Sequence, residues 1–147
     1  MQKKVYLCTR VMTYFLSLGS NIYPRHRFID EACRLLNERC GTILRRSSDY
    51  FSMPVGYVSD HEYLNICVEL DSLMDPMELL WATQQIEREL GRTQKNHYSD
   101  RTIDIDLLQA FDAQGREATV HTNELTLPHP RMQERDFVQI PLREIIP

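Results

Sequence analysis

Strand-like and helix-like segments alternate in the order strand, helix, strand, strand, helix, strand, which predicts an α+β fold. Three observations carry the prediction. Tyr63 to Leu70 alternates with period two, with Leu64, Ile66, Val68 and Leu70 on one face and Tyr63, Asn65, Cys67 and Glu69 on the other. Asp75-Pro76-Met77-Glu78 joins an N-cap acid, a first-turn proline and a glutamate three residues after the cap, which together signal a helix start. Arg101 to Leu108 alternates again, setting Ile103, Ile105 and Leu107 against Thr102, Asp104 and Asp106.

The remaining elements fall between these. Tyr14-Phe15-Leu16-Ser17-Leu18 is a first strand ended by Gly19-Ser20-Asn21. A helix follows, with Asn21 and Pro24 suited to its entrance, Phe28, Ile29, Ala32, Leu35 and Leu36 at helical spacing, and Gly41 just past its end. Thr42 to Phe51 reads as a second strand closed by the turn Met53-Pro54-Val55-Gly56. Leu79, Leu80, Thr83, Ile86 and Leu90 give the second helix its buried stripe, and Gly91 stops it. The loop Thr93 to Asp100 enters the fourth strand.

This order is the ferredoxin-like βαββαβ arrangement, an antiparallel sheet with both helices on one face and the other face open for an active site. Downstream, Leu125 to Pro130 is an extended, proline-fixed stretch. Met132 to Phe137 is expected to form a helical turn or two before Pro141, with Leu142, Ile145 and Ile146 anchoring the tail.

The 147 residues suit one domain spanning 1–147. Hydrophobic residues at 42% and charged residues at 26% leave no polar tract to read as disordered. A net charge of −4 argues against nucleic acid as a partner, because phosphate binding needs a basic surface. Cys8, Cys33, Cys40 and Cys67 form no CxxC pair, so zinc is not expected and a reducing compartment is. No apolar run reaches the roughly 20 residues of a membrane span. Arg10 interrupts the apolar stretch after Lys3-Lys4, so a signal peptide is not expected and a cytoplasmic location is.

The chemistry concentrates on Asp104 and Asp106, same-face neighbours about 7 Å apart along a strand. Such a pair is tolerated when it faces water, pairs with cations such as Arg101, or holds a metal ion. With Arg92, Arg101 and Arg135 nearby in the set and His129 in a rigid loop, the pair suits a magnesium-bound polyphosphate: magnesium prefers oxygen ligands and arginine forks hold phosphate. Spacing alone does not separate this from an ordinary solvated strand face. Taken singly, His129, Asn65, His97 and Tyr98 read most simply as structural or solvent-facing residues, and Gly19-Ser20-Asn21 lacks the further glycines and lysine of a P-loop.

A combination of motifs goes further. Leu16-Ser17-Leu18-Gly19-Ser20-Asn21, Tyr63-Leu64-Asn65, Arg101 to Leu108, and Leu127-Pro128-His129-Pro130-Arg131-Met132 with Arg135 and Phe137 resemble, in order, the 6-hydroxymethyl-7,8-dihydropterin pyrophosphokinase family of folate biosynthesis. The likeness runs from about Thr13 to the end. It implies transfer of diphosphate from ATP to the pterin hydroxymethyl oxygen with release of AMP. It also implies that Asp104 and Asp106 hold two magnesium ions and that Arg92 and Arg101 lie near the phosphates. By the same resemblance Ser52, Pro54, Val55, Tyr63, Asn65 and Phe137 belong to the pterin site, Asn65 by hydrogen bonding and Phe137 by stacking. Gln84, Glu87, Thr126, His129 and Arg135 match nucleotide-side positions.

The sequence departs from the family pattern in places. Gln94, His97 and Tyr98 stand in the loop where arginines and a tryptophan are common, and Tyr98 is the candidate replacement for that tryptophan. Ser99-Asp100 replaces a common Gly-Pro, Pro130 an aromatic residue, and Met53 one of a proline pair. Met12 is a candidate natural start, making residues 1–11 an extension. The chief alternative is a non-catalytic ferredoxin-like ligand-binding domain, which has no need of two acids beside so many arginines. An RNA-recognition module of the same element order would present sheet aromatics where this chain has acids. A polymerase-palm nucleotidyl transferase would need a larger protein around the acid pair. No protein partner is inferred.

Overall fold

The computed structural model describes residues 10–92 and 99–147. Tyr98, with Gln94 and His97, lies outside the described residues, as does most of the candidate N-terminal extension.

Strand β1 (Met12–Ser20) leads into helix α1 (Arg25–Arg39), then β2 (Thr42–Arg46), β3 (Tyr50–Ser52), β4 (Tyr63–Ser72), helix α2 (Pro76–Glu89) and β5 (Asp104–Phe111). The short strands β6 (Glu117–Ala118), β7 (Val120–His121) and β8 (Thr126–Leu127) follow, and helix α3 (Asp136–Ile145) closes the chain after a 3-10 turn at Met132–Glu134. The main sheet runs β2-β4-β1-β5-β6 with β3 also paired to β4, and these pairings are antiparallel.

Period-two patterning decides which side chains reach which face. Tyr14, Leu16 and Leu18 of β1, Leu64, Ile66, Val68 and Leu70 of β4, and Ile105 and Leu107 of β5 pack with Ile29, Leu36, Leu79 and Ile86 of α1 and α2. Burying each such side chain contributes about 1.5–3 kcal/mol. Alternation sets Leu108 opposite Leu107, beside Phe15 and Cys67, and a bulge where β5 pairs Phe15 and Leu16 returns Ala110 to the helix face.

That opposite face is not wholly open, as the sequence suggested. Helix α3 covers part of it, with Val138, Pro141, Leu142 and Ile145 buried. These four recur at i, i+3, i+4 and i+7, one stripe of a helix. Pro141 therefore lies inside a helix that was expected to stop before it. An interior proline costs about 3 kcal/mol. Burial of Val138, Leu142 and Ile145 against β4 offsets that cost.

Three other boundaries differ. The expected second strand is broken into β2 and β3, because Ser47 leaves the ladder to bond Cys67 through its own backbone N–H and its Oγ. Asn21 does not cap α1, whose N-cap is Pro24 without a side-chain bond. Asn21 instead ties Arg101 across the chain: its Oδ1 accepts the Arg101 N–H at 2.7 Å, and its own N–H bonds the Arg101 carbonyl at 3.1 Å. With both backbone groups of Arg101 so used, β5 begins at Asp104 rather than Arg101. The capping box of α2 forms as expected, with Glu78 N–H on Asp75 Oδ1 at 2.9 Å and Asp75 N–H on Glu78 Oε1 at 3.0 Å.

Candidate active site

The central strands meet at one point on the partly open face. Gly19 of β1 lies directly between Asn65 of β4 and Asp104 of β5, and Ser17 between Cys67 and Asp106. A Cβ at Gly19 would stand 3.2 Å from Asn65 Oδ1 and 3.4 Å from the Tyr63 ring, so glycine keeps the floor of the cleft low. The cleft above it spans about 580 Å³, part of it open to solvent, and is lined by Ser17, Ser52, Val55, Tyr57, Tyr63, Asn65, Arg101, Asp104, Asp106, Arg135 and Phe137 among others.

One end is aromatic. Asn65 is buried, and its Nδ2 donates to the Tyr50 carbonyl at 3.0 Å and to Ser52 Oγ at 2.9 Å, holding β3 in place. Phe137 enters from the start of α3, with the Arg135 guanidinium 5.5 Å from its ring centre. Burial first, and then the hydrogen bond with Tyr57, raise the Tyr63 phenol above its ordinary pKa, so it stays protonated in the working range.

The other end is ionic. Arg92, only 6% exposed, bonds Glu87 at 3.1 Å and also bonds Asp104. Arg101 reaches the second Asp104 oxygen at 3.3 Å. Glu87 is 3% exposed and turns its carboxylate into the fold, where Oε2 also accepts the Ile105 N–H at 2.7 Å. Of the three settings that would tolerate the acid pair, cation pairing is thus observed at Asp104. Asp104 and Asp106 are half-buried on the cleft wall, and a set of carboxylate oxygens beside arginines fits a hard cation such as magnesium that shares its shell with phosphate. Among the described residues no cluster of three or more His, Cys, Asp and Glu forms a protein-only cage.

The cleft thus gathers Ser52, Val55, Tyr63, Asn65, Phe137, Arg101, Arg135, Asp104 and Asp106, with Arg92 behind Asp104. Pro54 is half-buried in the adjoining loop. Gln84, half-buried on α2, does not line it, nor do Glu87, Thr126 and His129. Thr126 sits on β8, and His129 is tied to β5 through its N–H on the Leu108 carbonyl at 2.8 Å. Sequence reasoning missed Ser17 and Tyr57. Ser17 was legible as the same-face neighbour of Gly19, whereas Tyr57 earns its place only through long-range bonds.

A cleft with aromatic side chains at one end and acids with arginines at the other has the chemistry to take a flat heterocycle beside a phosphorylated group. Residues 15–147 match 7,8-dihydro-6-hydroxymethylpterin-pyrophosphokinase (HPPK), and the chain belongs to that family. It is 45% identical over 136 residues to the 2-amino-4-hydroxy-6-hydroxymethyldihydropteridine pyrophosphokinase of Porphyromonas gingivalis, covering 90% of each chain. It is 42% identical over 132 residues to the enzyme of the same name from Bacillus subtilis, covering 89% of this chain and 76% of that one. The fold resembles that of Plasmodium falciparum HPPK-DHPS, solved with SDX-DHP, at a TM-score of 0.69 and 15% identity. That match covers 93% of this chain but 42% of the longer one.

Proposed function

We propose that this protein transfers diphosphate from ATP to the hydroxymethyl oxygen of 6-hydroxymethyl-7,8-dihydropterin, releasing AMP. The observation that carries the reading is the convergence in one cleft of Asn65, Tyr63 and Phe137 with Asp104, Asp106, Arg101 and Arg135. The strand order β2-β4-β1-β5, with α1 and α2 on one face, supports a ferredoxin-like core beneath that cleft.

In this reading Phe137 stacks on the pterin and Asn65, held by Ser52 and Tyr50, offers its amide oxygen to the ring N–H groups. Arg101 and Arg135 take the phosphate oxygens, and Arg92 holds Asp104 in place from behind. Asp104 and Asp106 would hold two magnesium ions, which when bound supply charge neutralisation across the triphosphate. The hydroxymethyl oxygen attacks the β-phosphorus, the bond from that phosphorus to the α-phosphate oxygen breaks, AMP leaves, and the hydroxyl proton passes to water. The protein's part is to align the reactants rather than to form a covalent intermediate.

No helix among the described residues is long and apolar enough to cross a membrane, and a cytoplasmic location accords with the reading. The test incubates the protein with ATP, magnesium and the pterin and identifies the nucleotide released. AMP is expected. ADP would make it a simple kinase, and no turnover alongside tight pterin binding would favour a non-catalytic ligand-binding domain.

A further inference from the structure

Two loops meet beside the aromatic end of the cleft, the one between β3 and β4 and the segment that leads into β5. Their meeting point is Asp100. We propose that Asp100 is a positioning residue for the heterocycle end of the cleft, acting through Tyr57 to orient the Tyr63 hydroxyl as a hydrogen-bond acceptor. The proposal rests on the pterin reading above.

Asp100 Oδ1 accepts from Asn21 Nδ2 at 2.8 Å and from the Tyr57 hydroxyl at 3.3 Å, while Oδ2 meets His61 Nδ1 at 2.5 Å. Asn21 Nδ2 also reaches the Tyr57 hydroxyl at 3.1 Å and the His61 carbonyl at 3.1 Å, so one fully buried amide serves both loops. The Tyr57 and Tyr63 hydroxyls are 3.0 Å apart.

The direction of this chain follows from what each group can give. An ionised carboxylate only accepts, and a hydroxyl has one proton to donate. Asn21 Nδ2 cannot accept, and it has two protons for three neighbouring acceptors, so the Tyr57 proton is directed by charge: it goes to the Asp100 carboxylate rather than to the neutral Tyr63 oxygen. Tyr57 can then only accept from Tyr63. Tyr63 thus spends its proton on Tyr57 and keeps lone pairs on an oxygen whose side chain lines the cleft. Such an oxygen accepts from a ring N–H or amino group, donors that a reduced pterin carries. Burial raises the Asp100 carboxyl, but hydrogen bonds from Ser59, His61 and Asn21 outweigh it and hold the group below the usual aspartate range, so the acceptor end stays ionised.

The test measures pterin affinity by fluorescence titration, steady-state constants, and amide exchange over residues 57–62. Asp100→Ala is expected to weaken pterin binding about tenfold, the loss of one such hydrogen bond. KM for the pterin should rise more than kcat falls, KM for ATP should not change, and exchange at 57–62 should quicken. Tyr57→Phe, which keeps the ring, should reproduce the affinity loss. Asp100→Asn, whose amide oxygen still accepts from Tyr57 and Asn21, should restore most of it. Wild-type affinity in both Asp100→Ala and Tyr57→Phe overturns the proposal, as does equal weakening of ATP and pterin. If the wild-type protein bound no pterin, the functional reading itself would fail; unchanged exchange at 57–62 in Asp100→Ala would overturn the loop link whatever the substrate.

Discussion

The Glu87 carboxylate of helix α2 accepts the backbone N–H of Ile105 in strand β5 at 2.7 Å. The same oxygen takes Arg92 at 3.1 Å, so one buried acid fixes both the strand that bears Asp104 and Asp106 and the arginine that bonds Asp104. Glu87→Ala would leave a buried guanidinium and a buried N–H short of an acceptor. Removing one partner of a buried pair costs about 3–5 kcal/mol. A loss of that order in urea unfolding is expected, with Glu87→Gln losing less because its amide oxygen still accepts one N–H. A loss below 1 kcal/mol would show the clamp to be minor.

Asp104 has both a wall position and a structural tie, because Arg92 and Arg101 converge on it. Asp104→Ala should abolish turnover and also destabilise the fold by about 1–3 kcal/mol, through the buried Arg92 left with one fewer acceptor. Asp106→Ala should abolish turnover too. Calorimetry of the variants alongside the AMP assay checks both, and turnover surviving both substitutions would remove the acid pair from the reaction.

Gly41 ends helix α1 against the backbone of β4. A Cβ there would stand 1.9 Å from the Asp71 carbonyl oxygen, in backbone that cannot yield as a flexible side chain would. Gly41→Ala should therefore lower stability by about 1–3 kcal/mol, as overpacking does. The activity of the folded fraction should be unaffected, since the site lies elsewhere in the sheet.

The titrating groups predict how stability changes at both pH extremes. Asp100 has its pKa lowered in the fold, so its contribution is present above the ordinary aspartate range and is lost as pH falls through the folded value. Burial pushes Cys33 up to about 11 and Cys67 up to about 12, and raises the phenols of Tyr14 and Tyr63 above their ordinary values. Those groups favour the fold in their neutral forms. Their contribution is complete below the unfolded thiol value of 9.0 and is lost as pH rises from there through the folded values. Denaturation between pH 8 and 12 should show that decline, and Cys33→Ala should flatten part of it. In the native protein at pH 8 both thiols should react with Ellman's reagent far more slowly than after unfolding.

Much of the core was legible because period two and period 3.6 are properties of the chain itself. Leu64, Ile66, Val68 and Leu70 had to share a face if Tyr63 to Leu70 was a strand, and Asp75 with Glu78 had to cap a helix if one began there. The acid pair was equally plain in sequence, and its neighbours Asn65 and Gly19 follow from strand alternation once the pairing is known. Pro141 misled because its local penalty is visible in sequence while the burial that offsets it is not. Asn21 misled for a related reason: it looks like a cap, yet its amide is used by partners in two other loops.

Local patterning thus settled which residues form the strands, which helix face is buried and where the carboxylates lie along β5. Only the folded chain decided what those carboxylates touch. Glu87 meets Ile105 and Asp100 meets Tyr57 across gaps of 18 and 43 positions, the differences between their residue numbers. Hydrogen bonds across such separations depend on how α2 and the loops pack on the sheet, and no short-range periodicity encodes that packing.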